Sequence, residues 1–152
     1  MEEQKASLEE IHFHLSTIQS IVDRLASNSA NAKSWAVALV SGITAFLVES
    51  EELKSFFIML IPLLSLCYID SYYLALERKF RKIYTRAVKA YQEGQLSKEF
   101  LYHLEPERVF LRDVICAAKS HSVWPFYFLV ILVPVLFYIL SNLGSRPHGS
   151  TP

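Results

Sequence analysis

Three uninterrupted apolar blocks, separated by charged and amphipathic stretches, organise the chain. Ser34 to Val48 carries no charge, Ser55 to Leu74 carries only Asp70, and Val123 to Ser141 carries none. A helix that crosses roughly 30 Å of hydrocarbon needs about 20 predominantly apolar residues. The second and third blocks meet that length. The first reaches it when it starts near Ala30, with Lys33 snorkelling its ammonium to the interface. A chain of 152 residues has no shell in which to bury three such blocks as soluble core helices. The pattern therefore predicts an all-α, polytopic membrane protein with three transmembrane helices, at 34–48, 55–74 and 123–141, and a cytoplasmic helical stalk.

The polar segments have a pattern of their own. Residues 7–26 read as an amphipathic helix. Ser7-Leu8-Glu9-Glu10 fits a capping box, in which the Ser hydroxyl and the Glu carboxylate each satisfy an orphan amide. Leu8, Ile11, Leu15, Ile18, Val22 and Leu25 then recur three and four apart, the spacing of a coiled-coil seam. The seam is too short to stand alone. It needs a partner, within the chain or in a second copy, and is the candidate assembly surface. Asn28-Ser29-Ala30-Asn31 predicts a turn or hinge before the first span, so 1–33 is read as a cytoplasmic helix and hinge.

The second span is expected to continue into water, because nothing between Leu74 and Gln92 breaks a helix and Gly94 is the first plausible stop. Tyr73, Leu76, Phe80, Ile83 or Tyr84, Ala87 and Tyr91 mark its apolar stripe. A further helix over 97–119, starting at Ser97 and bent or interrupted near Pro106, would bury Leu101, Leu104, Val109, Leu111, Val114 and Ile115. Residues 75–122 thus read as a cytoplasmic helical region packed against the N-terminal helix. Residues 142–152, NLGSRPHGSTP, read as a disordered external tail.

Charge adds orientation. Lysines and arginines balance the acids at 15 each, so the chain is formally neutral and is not defined by global basic charge. Their distribution is uneven. Lys5, Arg24 and Lys33 precede the first span, ten lie in 75–122, and only Lys54 and Arg146 lie elsewhere. The positive-inside rule then puts the N-terminus and 75–122 in the cytoplasm, with the hairpin tip at 49–52 and the C-terminus outside. For a bacterial protein this is the inner membrane. No secretory signal precedes the first block, which is expected to act as its own insertion signal.

Candidate chemistry is sparse. Cys67 and Cys116 cannot make a disulfide framework, and His12, His14, His103, His121 and His148 form no metal spacing. No nucleophile motif or glycine-rich phosphate loop is present. The sequence predicts no enzyme, no metal and no cofactor. Asp70 is the sharpest feature, because a carboxylate in a span is costly. It reads either as an ion-handling group or as a structural anchor paired with Lys33, Arg78 or tyrosine hydroxyls. The densest motif follows it: Asp70, Tyr72, Tyr73, Glu77, Phe80 and Tyr84, interleaved with Arg78, Lys79, Arg81 and Lys82, and followed by Arg86 and Lys89. These basic residues suit anionic lipid beside an interfacial aromatic belt, or an acidic or phosphate-bearing partner. Nucleic acid is not the expected partner, since juxtamembrane basic runs occur without it.

The stretch Asn28-Ser29-Ala30-Asn31-Ala32-Lys33-Ser34-Trp35 leads into a two-span hairpin, followed by the motif D-x-Y-Y-L-x-x-E-R-x-F-R-x-x-Y at 70–84. Over roughly residues 10–90 this resembles a group of small, mostly uncharacterised bacterial membrane proteins. It is similar in turn to the SLATT-type two-span effector domains of bacterial conflict systems. The resemblance implies a membrane-perturbing effector under a nucleotide- or phage-triggered sensor. The expectation is accordingly a self-assembling inner-membrane effector or pore-type component, with anti-phage defence as the setting the resemblance suggests. The alternatives are a non-conducting, membrane-anchored adaptor for a soluble cytoplasmic partner and, behind it, a small transporter using Asp70. The expected partners are the lipid bilayer, other copies of the chain and such a cytoplasmic protein.

Overall fold

A computed structural model describes residues 7–50, 53–94 and 105–144. The chain is all-α, with no strand among the described residues. The helices among the described residues are α1 (Leu8–Ser50), α2 (Leu53–Gln92), α3 (Leu111–Ala118) and α4 (Trp124–Gly144).

The N-terminus of α1 is capped as its sequence requires. The Ser7 amide donates to Glu10 Oε2 at 2.8 Å, and the Glu10 amide donates to Ser7 Oγ at 3.2 Å. Beyond it the helix runs unbroken for 43 residues. The turn expected at 28–31 is therefore corrected: these residues are helical. Asn and Ser carry weak turn preferences, and tertiary packing overrides them. Ser29 is buried and bonded to α2, and Ser34 donates to the Ala30 carbonyl at 3.2 Å.

At 40 residues, α2 is almost as long, and it passes through Pro62. It ends in a turn at Glu93-Gly94, where Gly94 adopts φ +69°. That left-handed conformation is the helix stop that glycine permits. The two long helices form an antiparallel hairpin. Near its outer end Ile18, Val22 and Leu25 pack with Phe80, Tyr73, Leu76 and Ile83. Towards the connection between the two helices, Ala36 and Val40 pack with Met59 and Leu63. Small residues (Ala32, Ala36 and Ala75, all buried) let the backbones approach.

The expected seam is present, but it is closed within one chain. Ile11, Ile18, Val22 and Leu25 are buried, Leu15 is half-buried, and Leu8 is exposed. Ile18, Val22 and Leu25 pack against α2 of the same chain.

The expected helix over 97–119 is interrupted around Pro106, as its sequence suggests. Residues 97–104 lie outside the described residues, 105–110 are not helical, and α3 starts only at Leu111. There Asp113 Oδ2 accepts the Phe110 amide at 3.0 Å, which caps the helix three residues back. α3 docks on α2 through Val114 and Ala117, both buried, and through Asp113, which pairs with Lys79. A turn at 119–123 leads into α4. Val123 and Tyr127 join the cluster formed by Ala36, Val40, Met59 and Leu63. Pro125 falls in the first turn of α4, where its missing N–H has no intrahelical use. The helix continues through Pro134 to Gly144, so 142–144 belong to it and the rest of the expected tail lies outside the described residues.

Among the described residues, one helix is long and apolar enough to cross a membrane, over Met59–Gln92 of α2. Trp124–Phe137 of α4 is apolar but shorter, and the 34–48 block forms the end of the otherwise amphipathic α1.

Candidate functional site

Halfway along the hairpin a polar cluster interrupts the apolar packing. Asp70 has 0% exposure, and Lys33 reaches it across the α1–α2 interface. The Lys33 ammonium lies 2.6 Å from Oδ2 and 2.8 Å from Oδ1. The Ser29 hydroxyl donates to Oδ1 and accepts from Lys33 Nζ at 3.1 Å. Ser29 and Lys33 are one turn apart on α1, so the helix aims both at the same carboxylate. On the third side the buried Tyr127 hydroxyl of α4 stands beside Asp70. Next to Asp70 on α2, the Ser71 hydroxyl donates to the Cys67 carbonyl at 2.7 Å. The cluster thus joins α1, α2 and α4.

Chemically this is a charge-compensated clamp. A buried carboxylate avoids a large desolvation penalty only when a cation and further donors satisfy it. Lys33 supplies the cation, and with 20% side-chain exposure it retains a path to water. Of the anchoring partners considered for Asp70, Lys33 is paired with it, while the Tyr127 hydroxyl stands nearby without a hydrogen bond. Arg78 is exposed two turns further on. Ser29 was missed in the sequence, where it reads as part of a turn. The retrievable signal is its i, i+4 spacing to Lys33.

The residues of the motif separate. Tyr72 is exposed and meets Tyr73 edge-on at 6.2 Å, while Tyr73 and Phe80 pack in the α1–α2 seam. Glu77 is buried and accepts from Arg81 Nε at 2.7 Å. Tyr84 is exposed. Among the basic residues, Lys79 is held by Asp113 at 2.9 Å, donates to the Arg108 carbonyl, and lies 5.7 Å from the Phe110 ring centroid. Arg86 reaches Glu107 at 3.6 Å and Lys89 reaches Glu93 at 3.8 Å. Both pairs are exposed and worth little. Arg78 and Lys82 are exposed without an ion pair among the described residues. The basic segment therefore offers exposed charge at Arg78, Arg81, Lys82, Arg86 and Lys89, whereas Lys79 is a docking contact for α3.

The Lys79 contact sets the electrostatics of Asp113. Its hydrogen bond from Lys79, and then that from the Phe110 amide, hold the carboxyl below the usual carboxylate range. No group of three or more His, Cys, Asp or Glu side chains suited to a metal occurs among the described residues. Cys67 and Cys116 are both free thiols.

A second regularity surrounds the clamp. Both tryptophans of the chain are exposed, Trp35 by 69% and Trp124 by 50%. Trp35 lies two residues beyond Lys33, and Trp124 three before Tyr127. Tyr68 and Tyr72, also exposed, flank Asp70 on α2. Four large amphipathic rings on three helices thus lie within about one helical turn of the same level. On one side of that level the exposed surface is apolar, including Ile61, Leu64, Phe128, Leu129 and Val133. On the other lie the basic residues of α2.

The geometry defines an all-α protein with one membrane-length helix and an ion-paired clamp inside a helical hairpin. No protein-family model, curated protein or solved structure matches this chain.

Proposed function

We propose that the protein is a multi-pass protein of the bacterial inner membrane and acts there as a self-assembling effector of pore type. In this reading 34–48, 55–74 and 123–141 span the bilayer. The N-terminal half of α1 and 75–122 stand in the cytoplasm, and the C-terminus is external. The observation that carries the membrane assignment is the ring formed by Trp35, Tyr68, Tyr72 and Trp124. Tryptophan and tyrosine concentrate where hydrocarbon meets water, because one end of each ring is apolar and the other wet. The ring divides an exposed apolar surface from a basic one, as a bilayer boundary requires. The effector assignment draws on the resemblance of residues 10–90 to SLATT-type domains, and anti-phage defence is the setting that the resemblance suggests.

The clamp argues against transport through Asp70. Its carboxylate already has a covalently tethered cation, and a mobile ion would have to displace it. Because the α1 seam is occupied in cis, self-assembly in this proposal uses the lipid-facing surfaces of α2 and α4. One observation favours the adaptor as a second reading: a stalk already closed by its own seam presents a preformed surface to a soluble partner.

The test is induced expression in a bacterial host, with membrane potential followed by a voltage-sensitive dye and insertion verified by resistance to alkaline extraction. Depolarisation that scales with inserted protein supports the effector. Full potential and normal growth at every expression level, with insertion verified, overturn it in favour of the adaptor. Reporter fusions at the two termini test the orientation independently.

A further inference from the structure

α3 carries an apolar surface that the spans do not account for. Its buried side, Val114 and Ala117, is used against the hairpin. Its outer side is not polar: Leu111 is 67% exposed and Ile115 47%, and the preceding Phe110 is exposed as well. Arg108, Arg112 and Lys119 alternate with them and are also exposed. Leu111, Ile115 and Lys119 recur every four residues and so form one stripe, with Arg112 and Cys116 beside it.

The position of this surface identifies what meets it. At its upper end α3 is fixed by Asp113 to Lys79, which lies nine residues beyond Asp70 on α2. At its lower end the 119–123 turn delivers the chain to Trp124, in the aromatic ring. α3 therefore descends from about 13 Å above the clamp towards the ring, and its lower end reaches the layer, about 5–8 Å deep, where lipid headgroups lie around a spanning bundle. Helices with mixed apolar and cationic faces bind in that layer, with the apolar side chains at the acyl boundary and the cations at the phosphates.

We infer that residues 108–124 are an interfacial anchor that binds anionic phospholipid, with Trp124 in the acyl boundary, Ile115 above it in the headgroup layer, and Arg108, Arg112 and Lys119 turned to the anionic headgroups. The inference rests on the membrane reading above. It differs from a general attraction of the α2 basic segment to lipid, because it assigns the contact to a separate helix that leads directly into α4. Its consequence is that the end of α4 and the side of α2 are tied to the same patch of bilayer.

Cys116 sits on this face, exposed, and serves as the reporter. The full-length Cys67→Ala protein is labelled at Cys116 with an environment-sensitive fluorophore and reconstituted into vesicles of phosphatidylcholine with phosphatidylglycerol. Quenching by headgroup-spin-labelled anionic lipid is compared with quenching by the zwitterionic analogue. The expected ratio favours the anionic lipid by about fivefold for each basic residue in contact. It should fall towards one in R112E/K119E and part of the way in R112Q/K119Q, with helix content unchanged by circular dichroism. A ratio of one in the parent protein, or a probe that iodide quenches as freely as it does a free dye, overturns the inference. Resistance to alkaline extraction is scored on the same vesicles. Inserted protein with a water-exposed probe refutes this anchor alone, whereas protein that is extracted refutes the membrane reading and the anchor with it.

Discussion

Lys33→Met and Asp70→Asn each remove one half of the buried ion pair, yet they are expected to differ in cost. Lys33→Met leaves a carboxylate with 0% exposure and the Ser29 hydroxyl as its remaining good donor. Stranding one member of a buried pair costs about 3–5 kcal/mol. Asp70→Asn strands Lys33 instead. That side chain is 20% exposed, and its flexible stem can carry the ammonium into water. The loss should then approach that of one or two ordinary hydrogen bonds, about 1–2 kcal/mol. The double variant K33M/D70N holds no unpaired charge at the site, so its stability should lie close to that of Asp70→Asn alone. Lys33→Met then adds almost nothing once the carboxylate is gone. The coupling between the two positions equals most of its single cost, about 3 kcal/mol, at the upper end of what residues in direct contact show. Reversible unfolding of the detergent-solubilised full chain, followed by far-ultraviolet circular dichroism, measures all four corners. Equal single effects that simply add would refute the clamp, because they would mean that neither charge depends on the other.

Phe80→Ala should cost about 3–5 kcal/mol in the same unfolding assay, since Phe80 fills the α1–α2 seam; Ile18→Asp should likewise unfold the single chain, and dissociation of an otherwise folded oligomer would show the seam to be intermolecular. Gly94→Ala should cost about 1–2 kcal/mol from the left-handed backbone alone, because a Cβ there meets nothing within 4 Å; an unchanged midpoint would mean that α2 does not need this stop. Acidification should loosen α3 from α2. The folded Asp113 carboxyl titrates below its unfolded value, so its stabilisation is complete above the usual carboxylate range and is lost as pH falls through the lowered pKa. Hydrogen exchange over 111–118 should therefore accelerate beyond its intrinsic pH dependence under acid conditions, and a Lys79→Met variant should show the loosening already at neutral pH.

Features encoded by near neighbours were legible in the sequence. The capping box at Ser7 and Glu10 needs only residues three apart, and the end of α2 at Gly94 needs only the absence of breakers before it. The seam was also readable, but its partner was not. Whether Ile18 and Val22 meet Phe80 or another chain is decided by the register of the hairpin, which no local pattern prints. The misread turn at 28–31 has the same origin. Ser29 has turn propensity, but its hydroxyl is bonded to Asp70, 41 residues away, and its small side chain lets α2 approach. The interruption near Pro106 was legible, but the restart of α3 at Leu111 was not, because the carboxylate that caps it at Phe110 is also held by Lys79, more than thirty residues earlier. At the site, Lys33 was anticipated as a partner for Asp70. The levelling of Trp35 and Trp124 emerges only once three helices are laid side by side.

The unbroken course of α1 has a mechanical meaning. A helix that crosses from the charged surface to the apolar one with no joint behaves as a beam, and the contact among Lys33, Asp70 and Ser29 pins it to its neighbour near the crossing. The arm from Leu8 to Lys33 is about 38 Å long and the arm from Lys33 to Ser50 about 26 Å, at 1.5 Å per residue. Both arms are packed against α2, so the hairpin bends as one beam, and sideways force on its outer end reaches the other end through the whole interface. One lysine, one aspartate and one serine keep the two helices in register while that load passes.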